Sequence, residues 1–332
     1  MKKALITGAT GQIAAYLAHF LLQKDYGVYL TDRHTSFSPA RYWRLEALGI
    51  FSKVKLIPAS LDYYESLIDA MLSAQPNEIY HLAANSSITN SIESECSCMQ
   101  INFEGTHRLL RAFQHVVPEA KFFFMGSSEQ FGNPVESPQT ENTKFNPRNP
   151  YGIAKTAAFE LVKYYREHHG LFCCSAISYN QESPLRGIEF VTRKIVRGAY
   201  DFVQYGTKLE LGNLDAQRDW GYVGDYVQAI WKMLQIQTAS DFILATGKLH
   251  KVSDFVNLAF TITAEMLAKQ LPASPEKYLK TNPKFWRQFE ALPLVGQATK
   301  AFDMLDWEPR TSFEDLVKLM IEKEIMGFVN NG

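Results

Sequence analysis

The chain reads as an α/β protein, a doubly wound parallel sheet with a smaller C-terminal α/β lobe. Two observations predict it. Short apolar runs alternate with helix-length amphipathic segments through the first half, and a glycine-bearing turn joins the first run to the first segment. Apolar residues make up 46% and charged residues 21% of the 332, so a large core is available without disulfides or metal.

Ala4–Thr7 ends in glycine-rich sequence and predicts a buried strand. Residues 12–24 carry Ile13, Leu17, Phe20 and Leu21 at helical spacing. Further strands are predicted over 28–31, 54–57, 78–82, 121–125 and 172–177, with helices over 63–74, 102–116 and 150–169. Beyond about Asn180, loops rich in Gly, Pro and Asn separate shorter helices over 191–203, 224–235, 252–266 and 312–323. These predict a lobe folded over the carboxyl ends of the strands, where ligands of such sheets bind. Residues 1–179 with about 214–246 form the first unit of this division, and 180–213 with 247–332 the second.

A net charge of −1 offers no broad basic surface for nucleic acid or acidic lipid, so any phosphate site is local. Cys96, Cys98, Cys173 and Cys174 lack zinc-ligand spacing, and reduced cysteines in a cytoplasmic enzyme are the expectation. Met1-Lys2-Lys3 leads straight into a strand, which predicts no signal peptide, and no apolar run is long enough to span a bilayer. No metal, nucleic-acid or membrane partner is expected.

Thr7-Gly8-Ala9-Thr10-Gly11-Gln12-Ile13-Ala14 follows the first strand and opens the first helix. Two glycines alone mark many turns. Between a strand and an amphipathic helix they predict a dinucleotide loop, with the pyrophosphate at the helix N-terminus. After the second strand, Asp32 suits a ribose 2′-hydroxyl (NAD) and Arg33 a 2′-phosphate (NADP). Arg33 favours NADP, with NAD as the alternative.

Tyr151-Gly-Ile-Ala-Lys155 puts a phenol and an ammonium four residues apart, on one helical face. Lys155 is expected to lower the phenol's pKa, so that Tyr151 can exchange a proton with a carbinol beside a nicotinamide. Asn149-Pro150 sets the start of that helix, and Gly126-Ser127-Ser128-Glu129 follows the fifth strand.

These residues, with Asn180–Gly187, Phe190–Lys194 and Leu211–Gly221, resemble the extended short-chain dehydrogenases. The match is closer to the GDP-mannose 4,6-dehydratase family and runs from about Lys3 to about Val317. The resemblance implies a Rossmann-type fold, a GDP-hexose substrate and a homodimer or homotetramer, with residues 35–41 near a neighbour's cofactor. It implies catalysis by Ser127, Glu129, Tyr151 and Lys155, with Glu129 as a base partly buried near a lysine. It implies cofactor contacts at Gly8, Thr10, Gly11, Gln12, Ile13, Asp32, Arg33, Leu61, Leu82, Ala83, Tyr151 and Lys155. Substrate contacts are implied at Asn180, Glu182, Arg186, Val191, Lys194, Gly212, Asn213, Arg218, Arg287 and Glu290, with Arg193 in the same cationic cluster. Departures from the pattern are Ser60 for an Asp, His34 for the second arginine of the 2′-phosphate loop, Gln288 after Arg287, and Gly296-Gln297-Ala298 for Gly-Asp-Pro. The same residues fit a sibling that reduces, epimerises or decarboxylates a nucleotide sugar. A silent dinucleotide-binding regulator is expected to lack Tyr151, Lys155 or Glu129, and all three are present.

Overall fold

The computed structural model describes residues 1–86, 88–272, 274, 277–282 and 293–327. Seven strands form one sheet: β1 (Lys3–Thr7), β2 (Gly27–Asp32), β3 (Lys55–Pro58), β4 (Glu78–His81), β5 (Lys121–Met125), β6 (Cys173–Ser178) and β11 (Phe242–Leu244). Their order is β11-β6-β5-β4-β1-β2-β3, and every pairing is parallel. The order reverses beside β1, which is the switch point where a doubly wound sheet opens its ligand crevice.

Alternation along the strands explains the two faces. In β1, Ala4 and Ile6 pack with Ala14, Leu17 and Leu21 of α1 (Gln12–Leu22), while Leu5 joins the opposite core with α3 (Tyr64–Ala74) and α6 (Gly105–Val116). The run Phe122-Phe123-Phe124 divides in the same way. Phe123 joins the first core, and Phe122 and Phe124 join the second. Strands covered on both faces read as unbroken apolar runs, which is why they stand out in the sequence.

Residues 43–47 and 88–101 hold helical segments that the pattern did not announce: α2 (Trp43–Ala47), α4 (Ile88–Glu93), α5 (Glu95–Met99) and the start of a π-helical turn over Gln100–Glu104. Asn102 in that turn brackets Asn85, accepting from its N–H (2.8 Å) and donating to its carbonyl (3.0 Å). The helix expected from residue 102 therefore begins as a π turn that pins the loop after β4. The long helix α7 (Pro150–His169) matches its expected bounds, capped by Asn149 and ended by Gly170 at φ 66°.

The second half holds β7 (Asn180–Glu182), α8 (Val191–Tyr205), β8 (Leu209–Leu211), β9 (Gln217–Arg218), β10 (Trp220–Tyr222), α9 (Val223–Met233), β12 (His250–Lys251), α10 (Val252–Met266), β13 (Leu279–Thr281), α11 (Thr299–Leu305) and α12 (Phe313–Ile325). A third core joins α8, α10 and α12 through Ile195, Val196, Phe255, Phe260, Val317 and Ile321. The chain returns to the large sheet at β11, where Phe242 pairs with Ala176. Three residues of strand are too few to register as a pattern, and no strand was expected there. No described helix is long and apolar enough to cross a membrane.

Candidate active site

Gly8 adopts φ 87°, and a Cβ there would lie 3.0 Å from the Cα of Ala83. Only glycine lets the turn after β1 approach the loop after β4 this closely. Thr7 ties the same two loops. Its hydroxyl accepts from the N–H groups of Leu82 (3.1 Å) and Ala83 (3.0 Å) and lies 2.8 Å from Nδ1 of His81. With two donors already on its oxygen, Thr7 gives its own proton to Nδ1. His81 therefore carries its proton on Nε2, toward Thr106 (3.0 Å). Burial, aided by the charge of Lys155, holds the His81 pKa down at about 3.

Gly11 caps α1 without a side-chain hydrogen bond, which leaves backbone N–H groups at that helix end for an anion. The glycine turn, this helix end and the crevice beside β1 fit a dinucleotide. Ile13 packs into the first core, and Leu61 packs into the second and against the α-carbon of Gly105. Gln12 spends its side chain within the protein. Its amide donates to the Gln181 carbonyl (2.8 Å) and accepts from Ser183 (2.6 Å), so only its backbone can meet a cofactor. Arg44 makes a second tie, from the Thr10 carbonyl (2.8 Å) to the Leu185 carbonyl (2.8 Å). Both ties fasten the dinucleotide loop to the segment carrying Arg186, and neither was legible from residue type.

At the end of β2, Arg33 is exposed, and Asp32 is engaged by Arg41 (3.0 Å) and by the Tyr42 hydroxyl (2.9 Å). Burial alone would raise the Asp32 pKa. Hydrogen bonds from Arg41 and Tyr42, with the charge of Arg41, outweigh burial and hold it below the usual range.

Ser127, Glu129 and Tyr151 come together where β5 meets α7. Ser127 caps the turn Ser128–Gln130, its Oγ accepting from the Glu129 N–H at 3.2 Å. Gly152, the residue after Tyr151, packs so closely that a Cβ there would lie 2.4 Å from the Glu129 carbonyl oxygen. Burial pushes the Tyr151 phenol up to about 12, with the Ser127 hydroxyl beside it pulling down and the charge of Glu129 pushing further up.

Lys155 stands near the phenol, its ammonium 6.0 Å from the centre of the Tyr151 ring, but its hydrogen bond goes elsewhere. Its ammonium runs to the Met125 carbonyl (2.7 Å) over the ring of Phe124, and burial lowers its own pKa to about 7. The shared helical face is real, but a long side chain on it reaches the end of β5. Contrary to expectation, a lysine is not the partner of Glu129. Its Oε2 accepts from the Asn149 amide at 2.7 Å.

On the second lobe, Glu182 is buried, paired with Arg186 (3.1 Å) and accepting from Thr192 (2.5 Å). That enclosure turns the Glu182 carboxylate toward Arg186 and Thr192. The Arg186 guanidinium lies 3.5 Å from the centre of the Phe190 ring and near enough to Tyr151 to bias its ionisation. Arg193 does not join the cationic cluster. It is buried against Glu324, which also pairs with Arg197.

Asn180 lies in β7 opposite Trp220, its N–H donating to the Asp219 carbonyl. Val191 and Lys194 lie on the first turns of α8, Gly212 and Asn213 on the turn after β8, and Arg218 on β9. Arg287 and Glu290 fall outside the described residues. Asp219, beside Arg218, is an organiser that the sequence reading missed. Its buried carboxylate accepts from the N–H groups of Thr246 (2.9 Å) and Gly247 (3.0 Å).

A family model described as GDP-mannose 4,6 dehydratase matches residues 5–320. The GDP-mannose 4,6 dehydratase of Drosophila melanogaster is 39% identical, over 98% of this chain and 86% of that protein. The Vibrio cholerae GDP-mannose 4,6-dehydratase is 36% identical, over 98% and 94%. Among solved structures, UDP-glucose 4-epimerase of Thermotoga maritima with UDP-glucose superposes with a TM-score of 0.83 at 22% identity, covering 98% of this chain and 99% of that one. A dTDP-glucose 4,6-dehydratase of Bacillus anthracis in complex with NAD gives 0.82 at 20%, covering 98% and 97%. These two likenesses concern the fold. The family match and the relatives' identity, each over nearly the whole chain, carry the assignment: the chain belongs to the GDP-mannose 4,6-dehydratase family.

Proposed function

We propose that this protein is a lyase that converts GDP-mannose to GDP-4-keto-6-deoxymannose. The observation that carries the reading is the joining of Glu129 to the start of the Tyr151 helix, through Asn149 and the close approach of Gly152. A dehydratase needs a proton acceptor at carbon 4 and a base at carbon 5 in one pocket.

Bound NADP, or alternatively NAD, would lie along the turn at Gly8 and Gly11 and supplies the hydride acceptor and donor. Tyr151 takes the proton of the carbon-4 hydroxyl. The resulting ketone acidifies the proton on carbon 5, which Glu129 removes and passes to the departing carbon-6 hydroxyl; return of the hydride to carbon 6 and of a proton to carbon 5 completes the 6-deoxy product. Ser127 donates a hydrogen bond between them, and Lys155 positions the nicotinamide ribose. Arg186, Lys194 and Arg218 serve the sugar nucleotide, with Arg287 and Glu290 as further contacts by resemblance.

Residues 1–179 with about 214–246 form the dinucleotide unit, and 180–213 with 247–332 the sugar-nucleotide unit. A cytoplasmic homodimer or homotetramer completes the reading. Exposed Ile153 and Tyr164 on α7 support self-association, and light scattering that finds only monomer sinks that part.

Incubation with a panel of GDP-, UDP- and dTDP-sugars tests the reaction. Loss of water, about 18 mass units, from GDP-mannose is expected. Epimerised, reduced or decarboxylated product without that loss overturns it in favour of a sibling activity.

A further inference from the structure

Asn149 uses both ends of its amide. Its Oδ1 accepts from the Gly152 N–H (2.8 Å), and its Nδ2 donates to Oε2 of Glu129 (2.7 Å). The Gly152 N–H can only donate, so it fixes the oxygen on its side and leaves the NH₂ group facing the carboxylate. The residue is buried and sits immediately before Pro150 and Tyr151. One side chain therefore caps the helix that carries the phenol and grips the carboxylate twenty residues earlier. Serine could also accept from Gly152, since serine caps helices well, but its shorter side chain has no amide to offer Glu129.

We propose that Asn149 is a positioning residue for the carbon-5 proton transfer, an inference that rests on the dehydratase reading of this site. Oε2 of Glu129 is occupied by the Asn149 amide. Oε1 is then the oxygen that takes the proton from carbon 5 as the electron pair of that C–H bond passes into the enol of the 4-ketone. The same Oε1 returns the proton to the carbon-6 oxygen as the C–O bond breaks, so water leaves and the carboxylate is restored.

Two variants test this. Asn149→Ser keeps a cap and removes the donor. Exchange of the carbon-5 hydrogen with solvent deuterium, and formation of 6-deoxy product, should fall about tenfold, as expected for one lost hydrogen bond to a charged group. Oxidation at carbon 4, followed as nicotinamide absorbance at about 340 nm with GDP-mannose in excess, should stay within about twofold. Asn149→Asp keeps the cap and sets a second carboxylate against Glu129. The acid limb of the kcat profile should then move to higher pH by roughly one unit, because a like charge raises a carboxylate pKa.

Parental carbon-5 exchange in Asn149→Ser, or an unmoved acid limb in Asn149→Asp, overturns the proposal. Equal loss of oxidation and exchange in Asn149→Ser also overturns it, by reducing Asn149 to a helix cap. A parent enzyme that oxidises carbon 4 but never exchanges carbon 5 removes the dehydratase reading and the proposal together. A working parent with an indifferent Asn149→Ser removes the proposal alone.

Discussion

Arg41 holds Asp32 at the carboxyl end of β2, its Nε 3.0 Å from Oδ2 and its NH2 nitrogen 3.3 Å from Oδ1. With Tyr42 on the same carboxylate, the group that would discriminate for NAD is already satisfied by the protein.

The cofactor prediction follows from that pair. NADP should bind more tightly than NAD. Arg33→Ala should weaken NADP by roughly ten- to a hundredfold, the scale of a hydrogen bond between charged groups, and leave NAD nearly unchanged. Direct titration with both dinucleotides decides it. Tighter NAD binding in the parent would return the deciding role to Asp32.

Arg193 offers a different test, because its place in the sequence suggests phosphate and its place in the fold does not. It is 4% exposed and paired with Glu324 of α12. Arg193→Met should destabilise the protein in urea unfolding, by less than the roughly 3–5 kcal/mol of a fully orphaned buried charge because Arg197 still pairs with Glu324, while leaving KM for GDP-mannose within about twofold. A raised KM with unchanged stability would put Arg193 back in the substrate site.

Lys155 predicts how stability varies with pH. Burial lowers its pKa from the ordinary 10.5 to about 7. Below about 7 the ammonium is charged in both folded and unfolded chains, and the folded chain bears the full cost of burying it. Between about 7 and 10.5 the unfolded chain binds the extra proton, so this group adds stability as pH rises. Above 10.5 it is neutral in both. Lys155→Met should accordingly raise Tm relative to the parent near pH 6, with the gain shrinking across that window. A gain independent of pH would mean that the ammonium is not desolvated. The variant should also slow oxidation at carbon 4 by about tenfold or more, the scale of a lost hydrogen bond to a charged group that positions the nicotinamide ribose.

The framework was legible in the sequence because buried parallel strands leave unbroken apolar runs. Lys121–Met125, Pro150–His169 and Val252–Met266 fall on the expected bounds. The candidate pair Tyr151 and Lys155 was legible because a phenol and a lysine four apart lie on one helical face. What escaped were relationships rather than residues. Nothing local shows that Gln12 turns to Ser183, that Glu182 pairs with Arg186, or that Lys155 reaches the Met125 carbonyl. Each partner is set by the packing of separate elements. Asn149 was legible only as a helix start, because its second hydrogen bond depends on β5 delivering Glu129 beside α7.

Tyr151 and Glu129 should fail at different steps. Tyr151→Phe removes the acceptor for the carbon-4 hydroxyl proton, so the first oxidation should slow by at least about a hundredfold. Glu129→Gln removes the base but retains an acceptor oxygen for the Asn149 amide, so the turn after β5 should survive. Oxidation at carbon 4 should then proceed while proton loss from carbon 5 fails. With excess GDP-mannose and no turnover, the nicotinamide should show its reduced absorbance at about 340 nm, and carbon 5 should keep its hydrogen in deuterated solvent. A small amplitude is compatible, since it reports the internal equilibrium. Formation of 6-deoxy product by Glu129→Gln at the parental rate is not. That result would leave Glu129 as a structural acceptor for Asn149 and move the assignment toward a reductase or epimerase.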